Sequence, residues 1–190
     1  MKNKAEIEKI ISENIRREGI IELSEYLNTS DYYISPASCG HHLAVTGGLA
    51  VHSLNVYNVL RELNDRNCNL YTDETIAICG LFHDICKTSF YKIETVWRKD
   101  DGGRWENYEK YGVSDGFPAG HGEKSVIILQ KYIKLTDDEI LAIRWHMGGF
   151  TAGLSDYGTM QAFNKASDEC VLVPMLFLAD YQASHLVERE

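Results

Sequence analysis

An apolar run, Ile76-Ala-Ile-Cys-Gly-Leu-Phe82, leads directly into His83-Asp84. Such a run has to be buried, and an imidazole and a carboxylate at its end are costly to bury unless paired or bound to a metal. The same conflict recurs twice. His52 lies between Val51 and Leu54 in another apolar helical stretch, and Asp180 closes Leu176-Phe-Leu-Ala-Asp180. Taken singly, each has an ordinary reading: His52 as a hydrogen-bonded core residue, Asp180 as a buried salt-bridge partner, His83-Asp84 as a helix-end pair. The joint pattern is more specific than its parts, because borderline divalent metals favour mixed imidazole and carboxylate sets.

Around these residues the periodicity is helical. Ile7, Ile10, Ile11 and Ile15 predict a helix over 4–18 that Gly19 ends, and Ile20, Leu23 and Leu27 predict a second, shorter one. Residues 31–40 read as an irregular connection, 47–63 as a long helix, and the Asn- and Asp-rich 64–69 as a turn. Thr72 is an N-cap candidate for a helix reaching about Cys86, with Asp73 and Glu74 suited to its dipole. In 92–111, aromatic and β-branched residues flank Asp101-Gly102-Gly103, a hairpin signal. After a loop over 112–120, a helix is expected from His121 to Lys134. Thr136 and Glu139 form a capping box for the next helix, which ends before Gly148-Gly149. Residues 150–168 read as a loop and a short helix, and 168–187 as the final helix.

Composition narrows the class. The 190 residues suffice for one domain with a sizeable core, and no linker or repeat interrupts them. The five cysteines form no CxxC pair, which fits a reducing, cytoplasmic setting. The N-terminal stretch mixes charges into its apolar residues, unlike a signal peptide, and the longest apolar run, 170–179, is too short to cross a membrane. A net charge of −9 disfavours long nucleic acid as a partner and favours a small substrate.

The residues Gly47-Gly-Leu-Ala-Val-His52-Ser-Leu, Phe82-His-Asp-Ile-Cys-Lys87, Gly120-His121-Gly-Glu, Arg144-Trp-His146 and Leu178-Ala-Asp180 follow one another in the order H…HD…H…H…D. In this the chain resembles the HD superfamily of metal-dependent phosphohydrolases over about residues 36–185. It looks like small stand-alone bacterial and phage HD-domain proteins. It is also similar to the HD domains of certain 3′–5′ exoribonucleases, which share a paired histidine, here His41-His42, before the Gly-Gly-Leu-x-x-His segment. The resemblance implies an all-α fold: an HD-domain helical bundle with a small β-hairpin insertion. It would be a single domain over 1–190, with its core at about 36–187 and the helices of 4–28 packed on it. It also implies a metal site of His52, His83, Asp84 and Asp180. His121 and His146 match the extra pair of two-metal members, in which Asp84 would bridge. Cys86 departs from the common HD-I-G-K sequence, but it is small, so the helix end is expected to survive.

The cofactor implied is one or two divalent ions (Mn, Fe, Mg, Ni, Co or Zn). Such an ion lowers the pKa of bound water, and two can clamp the attacking and leaving oxygens. Two divalent ions outweigh the charge of Asp84 and Asp180, so a phosphate ester is the expected ligand despite the acidic chain. Asp84 and Lys87 are the catalytic candidates, with Lys87 stabilising phosphoryl charge; its bland alternative is a solvated helix-end lysine. Lys87, His41 and His42 are the candidate substrate contacts, and the expected substrate is a nucleotide or short oligonucleotide. His185 reads as ordinary, Trp145 as core, and Arg144 as facing away from the site. Trp97, Trp105, Tyr108, Tyr111 and Phe117 could stack on a nucleobase; more simply, the hairpin packs them on the helical body. Two other classes fit the same ligand order: an HD-type di-iron oxygenase, and a nucleotide-binding module without catalysis.

Overall fold

The computed structural model describes residues 2–40, 43–151, 153 and 155–189. Helices α1 (Lys2–Asn14) and α2 (Ile20–Thr29) bury Ile7 and Ile11, and Leu23 and Leu27, and leave Ile21 in solvent. Ile7, Ile11, Ile15, Leu23 and Leu27 join the core that also holds Leu49, Leu60, Phe82, Leu129, Ile143 and Leu176. The long α3 (Gly48–Arg66) is the centre of the bundle, packed against α4 (Asp73–Phe82) and α8 (Leu172–Gln182). Helix α6 (Asp137–Trp145) lies against α5 (His121–Leu129) and α8. The architecture is all-α with one two-stranded antiparallel hairpin, as expected. Among the described residues no single helix is long and apolar enough to cross a membrane.

The capping chemistry sets several boundaries. Thr72 Oγ1 accepts from the Thr75 N–H at 3.2 Å and opens α4. Glu139 completes the capping box of α6, its carboxylate accepting from the Thr136 N–H at 2.8 Å. That carboxylate is fully buried and also takes the Arg17 guanidinium, which reaches Glu74 at 3.1 Å as well. Arg17, from the connection between α1 and α2, thereby ties the N-terminal helices to α4 and α6. A glycine governs the approach of α3 to α4: a methyl group on Gly80 would lie 2.6 Å from Tyr57 Cα.

Several boundaries differ from the sequence reading, among them the helix expected over 121–134, which stops at Leu129. The helix expected to reach Cys86 ends at Phe82, and a 3-10 turn over Ile85–Lys87 follows. The final helix, expected from residue 168, starts only at Leu172, and the short helix expected within 150–168 precedes it. Helix α7 (Tyr157–Glu169) is capped by Asp156, whose carboxylate accepts from the Thr159 N–H at 3.0 Å. It breaks at Cys170–Val171, and the following helix leaves at 102°. Pro174 supplies the reason: lacking an N–H it cannot bond back to residue 170, so it belongs in the first turn of a new helix. After α8 the chain widens into a π turn, Ala183–Val187.

The hairpin runs from β1 (Tyr91–Lys99) to β2 (Trp105–Val113), with Tyr91 opposite Val113 and Lys99 opposite Trp105. Only its base packs aromatics on the body, where Tyr91 donates to the Ala37 carbonyl and Tyr111 meets Thr46, each at 3.3 Å. Trp97 and Trp105 are about two-thirds exposed, and Tyr108 and Phe117 are exposed too. Its base is held also by Lys124, buried on α5, which pairs with Asp115 at 2.5 Å.

Candidate metal centre

Five helices converge on the centre. His52 comes from the second turn of α3, His83 and Asp84 from the C-terminal end of α4, His121 from the first turn of α5, and His146 from the C-terminal end of α6. Asp180 comes from α8. The close approach at Gly80 sets His52 beside His83. Gly122 does the same for His121 and His146, since a methyl group there would collide with the Arg144 carbonyl of α6. His52, His83, Asp84 and His146 are all buried.

The imidazoles are oriented by their outer nitrogens. His83 Nδ1 donates to the Gly80 carbonyl at 3.0 Å, and His146 Nδ1 to the Ile143 carbonyl at 2.7 Å. His52 Nδ1 donates to the Glu188 carboxylate at 3.0 Å. A ring nitrogen that donates in this way leaves the other free to present its lone pair. The three Nε2 atoms accordingly face the centre. His52 Nε2 and His83 Nε2 lie 3.3 Å apart, and His146 Nε2 is buried with no hydrogen-bond partner among the described residues. Two imidazole nitrogens on one tetrahedral ion lie about 3.3 Å apart, from bonds of about 2.0 Å. The orphaned nitrogen and the opposed pair fit a divalent cation.

Asp84 divides its carboxylate between two groups of donors. Oδ2 is 3.5 Å from both His52 Nε2 and His83 Nε2, and His52 Nε2 is 3.2 Å from Asp180 Oδ1. Oδ1 is 2.6 Å from His121 Nε2 and 3.4 Å from His146 Nε2. His52, His83 and Asp180 on one side and His121 and His146 on the other share one carboxylate, the arrangement of a bridging ligand. Lys87 Nζ approaches Oδ2 at 2.6 Å. Because the turn over Ile85–Lys87 replaces helix, Lys87 pairs with Asp84 rather than lining up with His83 on a helical face.

Charge in the metal-free centre follows from these contacts. Burial alone would raise both carboxyls; the Lys87 ammonium and the histidines hold Asp84 well below the usual carboxylate range, and His52 does the same for Asp180. Burial disfavours the His52 cation, but Asp180 and Glu188 outweigh it and bring the group up to about 9. Burial dominates at His83 and lowers it. Lys87 is raised against burial by Asp84.

The centre forms one end of a cavity of about 710 Å³, where His52, Asp84, Lys87 and Asp180 line the floor. Its walls are Tyr91, Met147, Phe150, Phe177, Tyr181 and His185. None of Trp97, Trp105, Tyr108, Tyr111 or Phe117 lines it, so these rings are not its stacking surface, and the hairpin contributes Tyr91 from its base. His185 is not ordinary: it lines the cavity and stacks on Tyr181, ring centroids 4.1 Å apart. Trp145 is core, and Arg144 pairs with Glu123 at 2.6 Å. The expected contacts His41 and His42 lie outside the described residues.

Glu188 escaped the sequence reading. In Val187-Glu-Arg-Glu it looks like a solvated charge, and only the π turn brings it back to His52, where Asn55 Nδ2 also donates to it at 2.9 Å. Asn55, three residues after His52 on α3, was the available hint. A carboxylate behind a metal-binding imidazole fixes its orientation and raises its basicity, and loss of such a partner costs about ten- to hundredfold in metal affinity. Glu188→Gln is expected to weaken divalent-metal binding by about that factor, read by competition with a fluorescent chelator. Unchanged affinity would show that Glu188 does not orient His52.

The HD-domain family model matches residues 49–183, which contain all six of these inward-facing side chains. Neither the curated proteins nor the solved structures yield a match.

Proposed function

Because the chain belongs to the HD-domain family, we propose that it is a divalent-metal-dependent phosphohydrolase, a phosphomonoesterase or phosphodiesterase acting on a nucleotide or short oligonucleotide. The observation that carries this reading is the split Asp84 carboxylate, with a histidine pair on each oxygen. His52, His83, Asp84 and Asp180 would hold one ion, and Asp84, His121 and His146 a second. When bound, the ions activate water and polarise a phosphoryl oxygen.

The chain's own residues do the rest. Asp84 holds the two halves of the centre in register and accepts a hydrogen bond that orients the attacking water. Lys87, at the cavity floor, stabilises charge on the phosphoryl oxygens. Two features favour a small aromatic phosphoester over a long polymer. The cavity volume falls within the roughly 300–1,000 Å³ usual for small-molecule sites. Its walls carry exposed aromatic faces: Phe150 and Tyr181 lie nearly parallel, 9° apart, with centroids separated by 6.5 Å. A nucleobase gains by stacking on such rings. A net charge of −9 points the same way.

The test is a screen of chelator-stripped protein, reloaded separately with Mn, Fe, Mg, Ni, Co and Zn, against nucleotides and cyclic nucleotides. Anaerobic, metal-dependent release of phosphate or of a nucleoside monophosphate is expected. Oxygen consumption with reduced iron would make the protein an oxygenase instead, and nucleotide binding without turnover under every metal would make it a binding module.

A further inference from the structure

The side of Asp84 that faces α5 holds a donor outside the set named so far. Cys86, on the turn Ile85–Lys87, is only 2% exposed, and its Sγ lies 3.4 Å from His121 Nδ1 and 3.7 Å from His121 Nε2. His121 Nε2 in turn contacts Asp84 Oδ1. One donor atom each from Asp84, Cys86 and His121 lies within 4.8 Å of the others. The thiol is positioned rather than loosely packed. The Cys86 N–H donates to Ser125 Oγ at 3.3 Å, fixing the turn against α5 and turning the sulfur towards the first turn of that helix. An independent observation points to a ligand at this place: the buried His146 Nε2, which has no hydrogen-bond partner among the described residues and stands 3.4 Å from the same Asp84 oxygen.

We propose that Cys86 is a thiolate ligand of the ion shared by Asp84, His121 and His146, so that this half of the centre selects zinc, cobalt or ferrous iron over magnesium and manganese. The inference rests on the two-ion reading above. Geometry supports it. A sulfur and an imidazole nitrogen on one tetrahedral ion stand about 3.5 Å apart, from bonds of about 2.3 and 2.0 Å. Cys86 Sγ is 3.7 Å from His121 Nε2 but nearer, 3.4 Å, to Nδ1, so sharing an ion through Nε2 requires the partly exposed His121 ring to turn its Nε2 edge past the sulfur. Chemistry supplies the selectivity, since thiolate is a soft ligand that hard, oxygen-seeking ions take poorly. The balance is simple: the sulfur–metal bond forms as the S–H bond breaks, and the proton leaves to buffer. The consequence is a centre with unlike halves, His and carboxylate on one ion, His, carboxylate and thiolate on the other.

The experiment is a titration of the chelator-stripped full chain with Co(II), followed by absorption spectroscopy under reducing, anaerobic conditions. Two equivalents are expected to bind. One of them should bring a near-ultraviolet sulfur-to-cobalt charge-transfer band that Cys86→Ser abolishes while the visible ligand-field bands remain. The variant's preference for zinc over manganese should fall by at least about tenfold. Cys86→Ala repeats the measurement should a serine hydroxyl disturb the buried turn, with helical circular dichroism as the check on folding. Two equivalents without the band, or a band that survives both substitutions and so belongs to another cysteine such as Cys39 on the cavity wall, would overturn the proposal and leave the two-ion reading standing. Binding of fewer than two equivalents would overturn both.

Discussion

Asp84→Asn is expected to abolish metal-dependent turnover, lowering it by more than the ten- to hundredfold typical when a partner outside the ligand set is lost, to below about 1% of the parent. The substitution changes almost no volume, so its effect is on charge and donor type. Asp84 Oδ1 faces His121 and His146, and Oδ2 faces His52, His83 and Lys87. An amide has one oxygen and one NH₂ group. Whichever way it turns, one half of the centre meets a donor that cannot bind a cation. If the NH₂ takes the Oδ2 position it also meets the Lys87 ammonium, a buried cation then left without its partner. The remaining oxygen is neutral and a weak ligand. Bound metal should therefore drop in both halves, to less than one ion per chain. Asp180→Asn is the contrasting variant. Asp180 pairs directly with His52, so that variant should lose the ion on that side and keep the other. Metal analysis of the two proteins beside the parent separates a bridging role from an ordinary one. Equal losses from Asp84→Asn and Asp180→Asn would remove the bridge, and turnover near the parent level in Asp84→Asn would remove Asp84 from the chemistry.

The residues that meet at this centre were legible because each breaks an apolar pattern. His52, His83, Asp84 and Asp180 sit where helical periodicity demands a buried side chain, so their polarity stands out. Caps were legible for a similar reason: Thr72 and the Thr136–Glu139 pair act over three residues, a distance sequence encodes directly. What escaped depends on geometry further along the chain. Glu188 belongs to a charged C-terminal stretch and reaches His52 only through the π turn of 183–187. The cavity wall of Phe150, Tyr181 and His185 required knowing that α8 runs past the segment after α6. The aromatic hairpin drew attention by composition, yet a two-stranded ribbon anchored at its base through Lys124 and Asp115 can leave its tip rings in solvent. The division between α7 and α8 falls within a few residues of the boundary the sequence places at 168; the 102° angle between the two helices is set by packing and has no signature in the apolar run. Cys86 was noted as a small residue where glycine is common. Its sulfur matters only once α5 places His121 against it.

Saturating a chelator-stripped sample with zinc or cobalt should raise its melting temperature by about 8–16 °C. A ligand that binds only the folded state stabilises it by about 4 kcal/mol at a thousand times its dissociation constant. A chain of this length gains about 2–4 °C for each kcal/mol. Three features make the folded state the one that binds. The His83 and His146 rings are already locked by the Gly80 and Ile143 carbonyls, so no rotamer freedom is lost on binding. The His146 Nε2, buried without a hydrogen-bond partner, is costly to keep so without a cation, and binding removes that cost. The unfolded chain scatters six side chains over 129 positions, from His52 to Asp180, and holds no site. The shift should be largest for ions that satisfy both halves of the centre and smaller for magnesium. Asp84→Asn should lose nearly all of it, although its fold keeps the same helices. A metal-induced shift below about 2 °C in the parent, or one that persists undiminished in Asp84→Asn, would place the bound ion elsewhere than at this cluster.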